Sequence, residues 1–148
     1  MGTVEENNKE LIRRQYEHYN QLEFDAAHEY FSDEMFSEHF TREQVKESEM
    51  MLHNAFPDLT LTIVDIIAEG DKVAFIVNGK GTHTGGPYFG IPATGKEVNA
   101  QNTYIDRIVD NKIVEGNGTA SMLLLLQQLG VMPTIEEAVK AYNESKKE

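Results

Sequence analysis

Residues 59–77 read LTLTIVDIIAEGDKVAFIV, and this stretch decides the fold class. Leu59, Leu61 and Ile63 alternate with Thr60 and Thr62, and Val73, Phe75 and Val77 alternate with Ala74 and Ile76, which is the two-residue period of strands. Glu69-Gly70-Asp71 supplies the turn between them, so the segment reads as a hairpin. Both faces of the two strands are apolar, so each face needs cover, one from the protein's own helices and the other from strong curvature or a second copy of the chain.

Working outward, the period upstream is helical. Ile12, Tyr16 and Tyr19, with Leu11, Gln15 and Leu22 one phase over, predict a helix from Asn8 to Leu22, and Phe24 to Phe31 predicts a shorter one with Asp25 available as its cap. Thr41-Arg42-Glu43-Gln44 is a capping box that starts a third helix, ending near Phe56-Pro57. Downstream, a glycine-rich and proline-containing connection from Gly85 to Gly95 precedes two more strands, Val98 to Ile108 and Lys112 to Ala120, joined at Asp110-Asn111. Met122 to Leu129 reads as a short apolar helix closed by Gly130. A second capping box, Thr134-Ile135-Glu136-Glu137, opens an amphipathic C-terminal helix over residues 134–146, with Ile135, Ala138, Val139 and Tyr142 on one face. Helices first and antiparallel strands afterwards is α+β organisation, and residues 1–148 read as one domain.

Composition narrows the chemistry. The chain has 13 Lys and Arg against 25 Asp and Glu, a net charge of −12 that repels nucleic acid. With no cysteine, disulfides, thiolate metal sites and a cysteine nucleophile are excluded. No export signal or membrane-length apolar run is visible, so the expectation is a cytoplasmic protein. The five histidines show no metal-binding spacing, and no metal is expected.

Gly81-Thr82-His83-Thr84-Gly85, then Phe89-Gly90-Ile91-Pro92 and Thr94-Gly95-Lys96, resemble the SnoaL-like polyketide cyclases of the nuclear transport factor 2-like superfamily. Phe56-Pro57-Asp58-Leu59, residues 68–74, Lys112-Ile113-Val114-Glu115 and residues 125–130 match further family segments in the family's order, so that the resemblance covers about residues 8–132. It implies a cone-shaped α+β barrel, with helices packed into a strongly curved sheet around a pocket. It also implies cofactor-free proton transfer by an aspartate just before the Leu-Leu-Gln-Gln-Leu-Gly helix. Here the family's usual tryptophan falls on Asn117 and that aspartate on Ser121, and a serine takes no proton at neutral pH without a base beside it.

The resemblance also implies that His39 faces the pocket. His39 and His83 are therefore the acid/base candidates, each against a plain alternative: a loop histidine bonded to backbone for His39, a strand histidine near the rim for His83. His18 and His28 read as half-exposed helix positions, His53 is left unassigned, and Asp58 reads as a turn residue. If the family's pocket side is retained, Asn117, Thr119 and Ser121 share the inner side of the last strand by parity. On the preceding strand, either Asn102, Tyr104 and Asp106 or Gln101, Thr103 and Ile105 look inward, and the reading favours Asn102 and Tyr104 as ligand-binding residues with Asn117 and Ser121. Two functions follow. One is a cyclase- or isomerase-like enzyme for a neutral, apolar, oxygenated substrate; the other is a ligand-binding or dimerisation module that has lost the acid. A homodimer is expected in either case.

Overall fold

The computed structural model describes residues 2–147. Its order is α1 (Val4–Asn20), α2 (Phe24–His28), a single 3-10 turn (Asp33–Met35), α3 (Arg42–Ala55), β1 (Thr60–Glu69), β2 (Lys72–Thr82), β3 (Glu97–Val109), β4 (Lys112–Thr119), α4 (Met122–Gln128) and α5 (Ile135–Ser145). The four strands form one antiparallel sheet in the order β1-β2-β3-β4. No described helix is long and apolar enough to cross a membrane.

The elements start where the sequence signals them, with informative exceptions. Thr3 caps α1, accepting from the Glu6 N–H at 3.1 Å, so the helix begins four residues before the predicted Asn8. Asp25 does not cap α2; its carboxylate pairs with Lys46 on α3 at 2.5 Å, which joins two helices instead of closing one. Both predicted capping boxes are present, at Thr41/Gln44 and Thr134/Glu137. At the tip between β3 and β4, Asp110 and Asn111 both take positive φ, +50° and +59°, as a tight hairpin turn requires.

A bulge between Ile63 and Asp65 sets which residues of β1 reach the core. Strict alternation would send Asp65 and Ile67 inward after Leu61 and Ile63. The extra residue shifts the phase, so Ile66 and Ala68 pack against the core and the Asp65 carboxylate stays outside. The inner face of the sheet supports two apolar clusters. One gathers Leu11 and Ile12 of α1 with Val73, Phe75 and Val77 of β2, Ile108 and Ile113. The other gathers Ala55 and Phe56 at the end of α3 with Tyr88, Val98 and Leu129.

Among the described residues, no helix covers the outer sheet face around Ile67 and Ile105. Ile67, Ala74 and Ile105 form one cross-strand row on it, and Ile67 is 65% and Ile105 50% exposed. The apolar face of α5 is likewise open, with Ile135, Val139 and Tyr142 exposed.

Candidate active site

A cavity of about 200 Å³ lies between the two apolar clusters, sharing Val77 with one and Tyr88 and Val98 with the other. Its polar wall comes from four elements: Tyr16 and Tyr19 on α1, Glu49 and His53 on α3, Asn102 and Tyr104 on β3, and Ser121 at the start of α4.

Glu49 and His53 are one helical turn apart, so they project from the same face of α3. That turn is held by the loop after β2. Gly85 and Gly86 donate their N–H groups to the carbonyls of Ala55 and Asn54, at 3.1 and 3.0 Å, satisfying acceptors left open at the helix end. Gly85 is obligatory for this approach, since a Cβ there would lie 1.9 Å from the Asn54 oxygen. At the other end of α3, the Arg42 guanidinium donates to the carbonyls of His28 and Phe31 and to Asp33, which fixes α2 and places His28 behind Glu49.

Both oxygens of the Glu49 carboxylate are engaged. Tyr19 Oη donates to Oε1 at 2.8 Å and His28 Nε2 to Oε2 at 2.6 Å. His28 is buried, in contrast to the half-exposed position expected for it, and its Nδ1 has no partner among the described residues. The simplest tautomer carries its proton on Nε2 and leaves Nδ1 as an unpaired acceptor, so Glu49 is held as an oriented carboxylate.

His53 differs. It is buried with its ring edge-on to Phe24 at 5.2 Å, and burial holds its pKa below the usual histidine value against a smaller upward pull from Glu49. Among the described residues no hydrogen bond engages the ring, so at neutral pH it presents a neutral imidazole. Tyr16 is also unpaired. Burial, then Tyr104, Asp106 and Glu49, push its phenol well above the normal range, so it remains a hydroxyl donor with no acceptor among the described residues.

On the sheet side, the Asn102 amide donates to Tyr104 Oη at 3.3 Å and its oxygen accepts from the Ser121 N–H at 3.0 Å. Tyr104 stacks on Phe75 at 5.3 Å between centroids. Beyond it on the same face lies Asp106, 8% exposed, whose carboxyl is pushed up to about 7 by burial.

The six sequence-derived candidates are distributed unevenly. Asn102, Tyr104 and Ser121 line the cavity. Asn117 does not: it pairs with Ile105 on the outer face and is exposed. Parity fails because β4 ends at Thr119, so Ser121 lines the cavity although Asn117 and Thr119 point out. The Ser121 hydroxyl donates to the Gln101 carbonyl at 2.5 Å. His39 sits in the two-residue turn of a small hairpin closed by Ser37 and Phe40, exposed and away from the cavity wall. His83 is fully buried outside the cavity, stacked on Phe56 at 5.0 Å, with Nδ1 accepting from the Thr94 N–H and Nε2 donating to the Gly86 carbonyl. Its ring ties the loop that carries Gly85, and through it the end of α3. Asp58 closes the same region by accepting from the N–H and hydroxyl of Thr82. The sequence reading missed Glu49 and His53, and the available signal was their spacing of four on one helix.

Comparison with known proteins agrees with this architecture. AclR from Streptomyces galilaeus, a candidate hydroxylase, superposes with a TM-score of 0.81 at 26% identity over 96% of this chain and 92% of its own. IdmH from Streptomyces antibioticus, a candidate polyketide cyclase, gives 0.71 at 25% identity over 84% of this chain and 99% of its own. TsrD from Streptomyces laurentii shares the fold, with a TM-score of 0.74 at 24% identity over 84% of this chain and 95% of its own. No curated protein matches the chain. The sequence profile of the SnoaL-like polyketide cyclases matches residues 9–129, most of the length, and the chain belongs to that family.

Proposed function

We propose that this protein binds a neutral, largely apolar, oxygenated small molecule in the cavity and moves a proton on it without a cofactor, as in a cyclisation or isomerisation, in the cytoplasm. The observation that carries the reading is the pairing of two unspent groups on one wall: the neutral His53 imidazole and the Tyr16 hydroxyl. His53 accepts a proton from a carbon next to a carbonyl, Tyr16 donates to the oxygen on which negative charge develops, and the Glu49 carboxylate, fixed by Tyr19 and His28, stabilises the imidazolium. Neither His39 nor His83 is used.

A second reading, a binding protein without turnover, is favoured by one observation. The Ser121 hydroxyl is committed to the Gln101 carbonyl, and the family resemblance puts Ser121 at the position of the family's aspartate. We also propose that a second copy covers the outer sheet face around Ile67 and Ile105.

Deuterium uptake by an enolisable diketone, followed by NMR in heavy water, separates the first two readings. Proton transfer requires protein-catalysed exchange that falls at least about a hundredfold in His53→Asn, the lower range for losing a general base. Binding with no exchange above buffer supports the second reading.

A further inference from the structure

Every residue from Gly130 to Lys147 is exposed, so the apolar stripe of α5, formed by Ile135, Ala138, Val139 and Tyr142, is covered by none of the described residues. An 11-residue helix without packing is marginal in water, where helices shorter than about 12–15 residues draw their stability from tertiary contact. Its mount is nevertheless built. Gly130, at φ +77°, turns the chain out of α4. The Leu126 carbonyl then accepts from the N–H groups of Val131 and Met132 at 3.0 and 3.3 Å, and the Gln127 amide donates to the Pro133 carbonyl at 2.9 Å. A capped amphipathic helix is thereby set away from the body of its own chain.

The outer sheet face is the complementary surface. Ala74 points outward on β2 between its cross-strand neighbours Ile67 and Ile105, and Ile76 follows two residues along the same strand. A small side chain framed by three isoleucines is a hole that accepts one branched side chain from a helix laid over it. β1 and β3 stand two strand spacings apart, about 10 Å, which is the width of a helix with its side chains. We infer that α5 of a second copy lies along β2 on this face, with Val139, the middle of its stripe, over Ala74, and that the two copies exchange α5 reciprocally. This rests on the proposal that a second copy covers the outer sheet face.

Area and charge both favour a second copy as the occupant. One helix of 11 residues is only about 16 Å long, too short by itself for the roughly 800 Å² per partner of a stable interface, but a two-fold pair makes the contact twice. A chain of net charge −12 repels its own copies, so contact has to be made through neutral surfaces. Residues 135–147 carry three Glu and three Lys, which cancel. On the sheet, the rows through Ala74 and Ile76 hold Asp65 as their one charged residue, and the next row, Glu69, Lys72, Arg107 and Glu115, balances two acids with two bases. A helix without net positive charge gains no attraction to an anionic lipid surface.

The chain has no cysteine, so added thiols report contact without background. Ala74→Cys and Val139→Cys chains, one of them carrying a mass tag, are co-expressed at full length and treated with a short bismaleimide. The expected product joins unlike chains, which a helix folded back on its own sheet cannot give. Val139→Lys is expected to raise the dimer dissociation constant at least about tenfold in sedimentation equilibrium, with the circular dichroism of the body unchanged because the side chain is exposed in the single chain. Cross-linking of Ala74→Cys chains to each other alone, with a dimer indifferent to Val139→Lys, means that the sheets pack face to face; it overturns the exchange and leaves the second copy standing. A dimer that yields no unlike-chain product also overturns the exchange. If the unmodified chain is a monomer, the covering copy fails, and the inference with it.

Discussion

Replacing Asp106 by Asn tests the electrostatics of the cone's interior without any knowledge of the ligand. The carboxyl sits on the inner face of β3, opposite Val73 and Gly116, with Tyr104 two residues away; Tyr16, Tyr19 and Tyr104 are the titratable groups that its charge reaches. None of these is a cation, and Arg107, its neighbour in sequence, is paired on the outside with Glu115 and Asp71. Loss of water therefore dominates and raises the carboxyl from the ordinary 3.8 to about 7. Below about pH 4 the folded and unfolded chains both hold the proton, and burial of the carboxyl carries no ionisation penalty. Between about pH 4 and 7 the folded chain keeps a proton that the unfolded chain has released, so stability falls as pH rises, and above about 7 the loss levels off. Each pH unit in that window is worth about 1.4 kcal/mol, and the full penalty is about 4 kcal/mol. Asp106→Asn has no proton to lose. Its stability relative to the unmodified chain should therefore grow by about 2–3 kcal/mol between pH 5 and 8, measured by urea unfolding at matched ionic strength. The comparison cancels every other titrating group. A difference that stays flat across that range, or shrinks, would refute the argument that Asp106 is buried without compensation.

Two further outcomes separate structural from exposed histidines and test the outer sheet face. His83→Ala should cost about 2–4 kcal/mol in urea unfolding, because it removes a fully buried ring stacked on Phe56 and unties the loop that holds the end of α3, whereas His39→Ala should stay within about 0.5 kcal/mol. Equal effects would show that His83 is not the tie it appears as in the hydrogen-bond geometry. Sedimentation equilibrium at micromolar concentration should show a dimer that Ile67→Lys dissociates without loss of fold; a monomeric unmodified chain would remove the proposed interface.

How much was legible in the sequence follows from the range of the forces involved. The fold was, because strand alternation over residues 59–77, the two capping boxes and the Asp110-Asn111 turn are local devices whose geometry is set by residues within one turn of each other. The bulge at Ile63–Asp65 was less so, although a carboxylate due to point inward at Asp65 is a local signal of it. The cavity was only half legible. Alternation on a long strand groups Asn102 with Tyr104 without deciding which side is inner, and Asn117 and Ser121 straddle the end of β4, where alternation stops carrying information. His53 needed knowledge of what packs against α3, and that depends on Phe24 and on the loop containing Gly85, both distant in the chain. His83 and His39 look alike in sequence because burial is a property of the assembled fold.

Among the strand edges that no other strand pairs, the outer edge of β1 and the part of β3 that extends past the end of β4 are each met at one residue by a side-chain amide. Asn20, at the end of α1, donates to the Leu61 carbonyl and accepts from its N–H, both at 2.8 Å. Gln128, at the end of α4, does the same with Asn99 at 2.9 Å. An amide in this position copies the two hydrogen bonds that a neighbouring strand would make to one residue, and so takes the place where an intruding strand would begin to zip. Neither side chain lines the cavity. Conversion of Asn20 to aspartate, as in slow chemical ageing, would set a carboxylate oxygen against the Leu61 carbonyl, release the clasp, and convert a sheltered edge into a seed for edge-to-edge association.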